Sequence, residues 1–319
     1  MKLHRAPGAW PDFNKAVVTI GTFDGVHRGH RQIITQLKEE AARIGGETVI
    51  ISFHPHPRKI VPSSKEEIRL LNTPEEKAAL LQETGIDHLV IVPFDAAFAA
   101  QTAEEYIGHF LYGHFRPHTV IIGYDHRFGK ERKGDYHLME TYGHRLGFEV
   151  KEIPEEVLNN VVISSTRIRK ALTENDIHTA NGFLGYPYFF EGKVVEGNRL
   201  GRTLGYPTAN IQVDNADKLI PGDGVYAVTA NKRETDTEYS LNRGRQEIPG
   251  MMNIGMRPTV GGTKRLIEVN LFDFDEDIYG SVLQVHMHHF IRGERKFSGL
   301  DALKEQLGKD RTAAMQLLR

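Results

Sequence analysis

His27 and His30 stand three residues apart in Gly21-Thr22-Phe23-Asp24-Gly25-Val26-His27-Arg28-Gly29-His30, a glycine turn between an apolar run at 17–20 and a helical segment. Histidines so spaced fall on one side of a helix start, where free backbone N–H groups and the helix dipole favour an anion. The chemistry on offer is phosphate binding. Gly29 lets the backbone approach closely, and each imidazole can donate a hydrogen bond, more strongly when protonated. Helix capping or plain exposure are the other uses of such a pair, and neither a P-loop nor a G-x-G-x-x-G accompanies it. A second group, Ser164-Ser165-Thr166-Arg167-Ile168-Arg169, opens another helix. Its hydroxyls can cap that helix or, with Arg169 and the two histidines, clamp a triphosphate.

The second half carries a denser string, G-K-V-V-E-G-N-R-L-G-R-T-L-G-Y-P-T-A-N at 192–210. Its glycines, Gly197 and Gly201 among them, permit a tight loop over phosphate although no G-K-[ST] is present. In extended Thr208-Ala209-Asn210 the first and third side chains point the same way, and two neutral oxygen donors suit a Mg²⁺ that keeps waters and ATP oxygens as its other ligands. A turn entering a strand is the plainer reading of P-T-A-N. Glu268 shares a strand face with Leu266 and Asn270, opposite Ile267, Val269 and Leu271, so periodicity alone makes it a solvated residue. Gly222-x-Gly224-x-x-Ala227 matches part of a dinucleotide fingerprint but runs into the alternating Val225-Tyr226-Ala227-Val228, so the strand-to-helix mechanism of that fingerprint is missing.

In order and spacing, the two first-half motifs resemble the H-x-G-H nucleotidyltransferases, whose S-S-T-x-I-R segment binds nucleotide phosphates. Phe53-His54-Pro55-His56-Pro57 and Gly123-Tyr124-Asp125-His126-Arg127-Phe128-Gly129 narrow the resemblance to the adenylyltransferase half of the bacterial bifunctional riboflavin kinase/FAD synthetases. The 192–210 string resembles the kinase half, together with Gly222-Asp223-Gly224-Val225-Tyr226, Asn253-Ile254-Gly255-Met256-Arg257-Pro258-Thr259 and the run at 290–297.

The resemblance implies two ATP-dependent reactions, riboflavin to FMN and FMN to FAD plus pyrophosphate, with Mg²⁺. It implies that His27 and His30 hold the ATP phosphates and favour pyrophosphate departure, with Gly21, Phe23, Asp24, Gly29, Asp125, Ser164, Thr166 and Arg169 binding the nucleotide. Phe53, Pro55, Pro57 and Phe128 would sit near the isoalloxazine. In the kinase half it implies Gly197 and Gly201 at ATP, Thr208 and Asn210 at the metal, Glu268 as general base and Arg292 at the flavin. Two positions depart from the family pattern: His126 stands where an aromatic residue is common, and Glu131 where glycine is common. Two other readings keep the fold, a riboflavin kinase without the second activity and a non-catalytic flavin- or nucleotide-binding regulator.

The elements that must position these residues are legible as an α/β pattern. Apolar runs at 17–20, 49–53, 89–92, 120–122 and 148–153 alternate with helical segments, as in a parallel sheet of βαβ units whose ligand site lies beyond the strand C-terminal ends. The segment 31–43 sets Ile33, Ile34, Leu37 and Ala41 on one face and stops at Gly45-Gly46, while Thr73-Pro74-Glu75-Glu76 and Thr102-Ala103-Glu104-Glu105 read as helix starts. The texture changes near residue 184, giving an adenylyltransferase domain at 1–184 and a kinase domain at 185–319. Strands at 192–195, 225–229, 251–254, 266–271 and 282–290, then a helix at 302–318, read as a small antiparallel barrel with a terminal helix. The polar stretch 232–246 reads as a mobile hairpin loop.

Composition agrees. A chain of 319 residues exceeds the size at which one core usually stops growing, and 40 Lys and Arg against 42 Asp and Glu, net −2, exclude a protein built to coat nucleic acid. With no cysteine, disulfides, iron–sulfur clusters, thiolate zinc sites and cysteine nucleophiles are excluded. No apolar run approaches the roughly 18–20 residues of a membrane span. The expectation is a soluble cytoplasmic protein with no membrane or nucleic-acid partner; its oligomeric state is left open.

Overall fold

Short β-branched runs separated by helices bury their central strands on both faces by forming a parallel sheet covered by helices. The computed structural model describes residues 1–5, 10–61, 67–153, 163–197, 200–233, 247–259 and 262–319. It divides into two compact units, Met1–Ile68 with Pro74–Ser164, and Arg69–Thr73 with Ser165–Arg319.

The first unit holds a six-stranded parallel sheet in the order β1-β4-β3-β2-β5-β6. The strands are β1 (Lys2–His4), β2 (Val17–Ile20), β3 (Thr48–His54), β4 (His88–Pro93), β5 (Thr119–Gly123) and β6 (Glu149–Ile153). Sequence periodicity anticipates five of them. It misses β1, a three-residue edge strand with two basic side chains and too little apolar pattern to register. From β2 the chain proceeds to β3 on one side, while β5 lies on the other. This is a topological switch point, and the crevice beyond the C-terminal ends of β2 and β5 is where such a sheet binds ligands. Val17, Val18, Val49, Ile51, Val90 and Val120 are fully buried in the core beneath it.

In the second unit, β7 (Tyr188–Val195), β8 (Ala209–Gln212), β9 (Gly224–Arg233), β10 (Ile248–Thr259), β11 (Gly262–Leu271) and β12 (Val282–Arg292) close into an antiparallel barrel in the order β10-β11-β8-β7-β12-β9. The extra strand relative to the sequence reading is β8, which begins within the P-T-A-N segment at Ala209. Gly224 opens a strand, so the partial dinucleotide fingerprint has no helix to serve. Helices Ser165–Thr173 and Ile177–Leu184 belong to this unit: Asn181 donates to the Met287 carbonyl at 2.8 Å and accepts from the Tyr188 N–H at 2.7 Å. The segment Arg69–Thr73 also joins it, Leu70 exchanging backbone hydrogen bonds with Asp217 and Leu219. Helix Leu300–Leu317 lays Ala314 against Ala227, Met251 and Phe272. From 234 onward the stretch read as a hairpin loop lies outside the described residues.

Two candidate active sites

In the first unit the chain leaves β2 through Gly21 and turns sharply before helix Arg28–Ile44. Phe23 (φ 46°), Gly25 (φ 89°) and Val26 (φ 36°) all have positive φ. For Phe and Val that conformation costs about 1–2 kcal/mol each, so the turn persists because burial of both side chains over-determines it. The turn delivers His27 as the helix N-cap, its Nδ1 accepting the His30 backbone N–H at 3.3 Å. An imidazole that accepts at Nδ1 carries its proton on Nε2, which leaves Nε2–H as a donor. The rings of His27 and His30 stack at 3.6 Å. A Cβ at Gly29 would lie 3.3 Å from the His27 ring, so this glycine makes room for the histidine as well as for a ligand.

Burial, then the neighbouring His27 and Lys77, push the His30 imidazole well below its ordinary range. His30 is therefore a neutral donor at neutral pH, where the sequence reading looked to protonation to strengthen it. Its Nδ1 is buried without a hydrogen-bond partner among the described residues. Sequence reasoning missed Lys77, on helix Pro74–Gln82, whose ammonium reaches the Thr22 carbonyl at 2.8 Å and the Ser52 hydroxyl at 3.0 Å.

Across the switch point, the turn after β5 carries exposed Asp125, then His126 and buried Phe128. Phe128 is joined to Phe53, at the end of β3, by an unbroken aromatic chain through Tyr106 (5.0 Å) and Phe98 (6.0 and 5.5 Å). Phe94 and Phe98, half-buried at the end of β4, extend this wall and had no motif to mark them. The predicted flavin loop leaves β3 directly after Phe53 and His54, and Pro57 starts the short helix Pro57–Ile60. Burial pulls the His126 imidazole down to about 4, and its Nε2 has no partner among the described residues. Glu131 sits at φ 57°, a conformation that suits the glycine common in the family there. Ser164 closes the first unit. Thr166 and Arg169 lie on helix Ser165–Thr173 of the second, where Arg169 Nε donates to the Arg69 carbonyl at 2.7 Å.

The barrel builds a different site. Strand register sets Asn210 on β8, Glu268 on β11 and Asn253 on β10 side by side, pointing to the same face, opposite the buried row Tyr226, Met252 and Val269. The same register continues through Val225 to Arg292. Glu268, with a side chain only 14% exposed, accepts from Arg257 Nη2 at 2.8 Å. Burial raises its carboxyl above the ordinary range and Arg257 opposes that shift. Against this row lies the glycine-rich loop: a Cβ on Gly197 would collide with the Asn210 amide, and one on Gly201 would come within 3.2 Å of the Thr208 hydroxyl. Asn270, also missed, steadies the entry to β8 by donating to the Pro207 carbonyl at 2.6 Å. The Glu294 carboxylate fills the space a Cβ of Gly255 would need, which adds a second acidic group above the row. The Arg292 guanidinium makes a bidentate pair with Asp310 at 2.7–3.2 Å and donates to the Gly293 carbonyl.

The family description "FAD synthetase" matches residues 10–167 and "Riboflavin kinase" matches 184–318. The bifunctional riboflavin kinase/FMN adenylyltransferase of Escherichia coli K12 is 38% identical over 94% of this chain and 92% of its own length. The chain belongs to this family. The Bacillus subtilis 168 member is 36% identical over 95% and 92% of the two chains. A Streptococcus pneumoniae crystal structure described as a macrolide-efflux protein superposes with a TM-score of 0.83 at 29% identity, covering 98% of each chain. Its likeness supports the fold of this chain over nearly its whole length. Its description is its own, and among the described residues here no helix is long and apolar enough to cross a membrane.

Proposed function

We propose that the chain carries out both reactions named for its bifunctional relatives, phosphorylating riboflavin to FMN in the barrel and adenylylating FMN to FAD in the parallel-sheet unit. The kinase assignment begins near residue 184, although the helices at 165–184 pack with the barrel unit, and a cytoplasmic location is the one that suits ATP and flavin as substrates. The observation that carries the reading is that each unit holds its own construction suited to a phosphate, a histidine-capped helix start in one and a glycine loop beside a half-buried carboxylate in the other.

For adenylyl transfer, a phosphate oxygen of FMN attacks the α-phosphorus of ATP as the bond to the β-phosphate breaks. No covalent enzyme intermediate is needed, so positioning and charge stabilisation supply the rate. His27 donates from Nε2 and His30 from its ring to the departing pyrophosphate, while Gly21, Phe23, Asp24, Gly29 and Asp125 frame the nucleotide. The S-S-T-x-I-R motif assigns Ser164, Thr166 and Arg169 to the nucleotide phosphates as well. Phe53, Pro55, Pro57 and Phe128, extended by Phe94 and Phe98, supply an apolar wall for the isoalloxazine.

For the kinase step, Glu268 takes the proton of the riboflavin 5′-hydroxyl as its oxygen attacks the γ-phosphorus and ADP leaves. A carboxylate raised by burial is a better base than one in water. Gly197 and Gly201 bring the loop backbone close to ATP. Thr208 and Asn210 offer hard, neutral oxygens beside that loop, a donor set that fits Mg²⁺ carried in with ATP. Bound there, the ion would neutralise phosphate charge. Arg292, secured by Asp310, would orient the flavin.

Incubation of the purified chain with riboflavin and Mg·ATP, with FMN, FAD and pyrophosphate followed in time, tests the reading. The expected course is transient FMN, then FAD with stoichiometric pyrophosphate. Accumulation of FMN alone would leave only the kinase, and no turnover would leave a binding protein.

A further inference from the structure

Lys77 occupies a place that stability alone does not favour. It lies in the first turns of helix Pro74–Gln82, where the helix dipole repels a cation, and it is only 8% exposed. Burial pulls its ammonium down to about 8, with the carboxylate of buried Asp24 acting in the opposite direction. The ammonium donates to the Thr22 carbonyl and the Ser52 hydroxyl, and Ser52 itself donates to the same carbonyl at 3.2 Å. These contacts meet at the C-terminal ends of β2 and β3, immediately before the strained Phe23–Val26 turn that sets His27 at its cap. A turn with two bulky residues at positive φ needs such external restraint.

We propose that Lys77 is a positioning residue of the adenylyl-transfer site: its buried ammonium holds the Thr22 carbonyl and the Ser52 hydroxyl, and through them the turn that presents His27 and His30 to the nucleotide phosphates. Lys77 touches no reacting atom and acts through the turn. Lys77 has a second effect: after burial and His27, its charge adds to the influences that keep the His30 ring neutral. The proposal rests on the assignment of adenylyl transfer to this unit.

Lys77→Met and Lys77→Arg test it in the full-length chain. Lys77→Met is expected to lower kcat for FAD formation from supplied FMN by about 10–100-fold, the scale of a small misplacement in a positioned site. The KM for ATP should move less than about threefold, and Lys77→Arg should recover part of kcat. The kinase reaction of the same preparation should be unchanged. In the NMR titration of the His30 ring, Lys77→Met should shift the midpoint upward while Lys77→Arg, which keeps the charge, should leave it near the parent value. FAD formation within twofold of the parent, or an unmoved His30 midpoint, overturns the proposal. Should Lys77→Met lose kinase activity too, Lys77→Gln carries the test, since it keeps a donor for Thr22 without the charge: a shifted midpoint supports the proposal and an unmoved one overturns it. If the parent makes no FAD from FMN, or His30→Ala is fully active, the assignment of adenylyl transfer fails instead.

Discussion

The two units handle the same cosubstrate with opposite electrostatics. In the parallel-sheet unit the turn after β2 presents two imidazoles, and burial with nearby positive groups drives His30 toward its neutral form. In the barrel the central group is a carboxylate, and burial drives Glu268 the same way, toward neutrality, with Arg257 pulling it back. A neutral imidazole remains a hydrogen-bond donor, which suits the role proposed for it, stabilising a departing anion. A carboxylate must stay ionised to act as the proposed base, a requirement that the guanidinium 2.8 Å from Glu268 serves. The supports differ as well. A helix cap and a strained turn hold His27, whereas strand register alone lines up Asn210, Glu268 and Asn253.

The comparison breaks first at Glu268. Glu268→Gln should cost the kinase about 10²–10⁴-fold in kcat, measured as FMN formed from riboflavin, and leave FAD formation from supplied FMN intact. His30→Ala should do the reverse, lowering FAD formation on the order of 10²-fold with FMN formation spared. A sharper probe is Arg257→Met. Removing the guanidinium lets burial act unopposed, so the Glu268 carboxyl moves higher still and the acid limb of the kinase pH profile shifts to higher pH; at neutral pH the rate should fall about five- to tenfold from loss of orientation. The pH profile of FAD formation should not move in that variant.

The smallest effect concerns stability. Glu40, buried on helix Arg28–Ile44, accepts from Arg43 and Lys151 and sits by Thr119 at the start of β5, the end of the sheet away from the switch-point crevice. The Arg43 hydrogen bonds, aided by Lys151, hold its carboxyl at about 2. Because that value is depressed, its stabilisation is fully present above the ordinary carboxylate range and is lost as pH falls toward about 2. Glu40→Gln should lower unfolding free energy by about 2 kcal/mol in urea titrations at neutral pH, flatten the loss of stability below pH 4.5, and leave both catalytic rates unchanged at assay temperature.

The sequence discloses what is local. His27 and His30 read as neighbours on one side of a helix start, where their rings do stack, and the strand alternation around Glu268 separates its faces correctly. Periodicity still assigns Glu268 to solvent, since neither Arg257 nor the covering loop is visible in its own strand. Lys77, Ser52 and Thr22 come from three separate elements, and their meeting is a property of the sheet order. Glu294 over Gly255 and Asn270 on Pro207 are likewise tertiary. Arg292 shows the converse: the motif marks it for flavin, while its bidentate pair with Asp310 ties the C-terminal helix to the barrel. The strands that escaped, β1 and β8, have three and four residues, too few for an alternation to declare itself.

The central claim, that two separable sites work in sequence on one chain, is tested most directly by mixing variants. Glu268→Gln and His30→Ala, each given riboflavin and Mg·ATP alone, should make almost no FAD, the first for want of FMN and the second by stopping at FMN. Combined in one tube they should restore FAD and pyrophosphate formation to a large fraction of the parent rate. Failure of the mixture to make FAD, with both variants folded, or loss of both activities in either variant, would contradict the account.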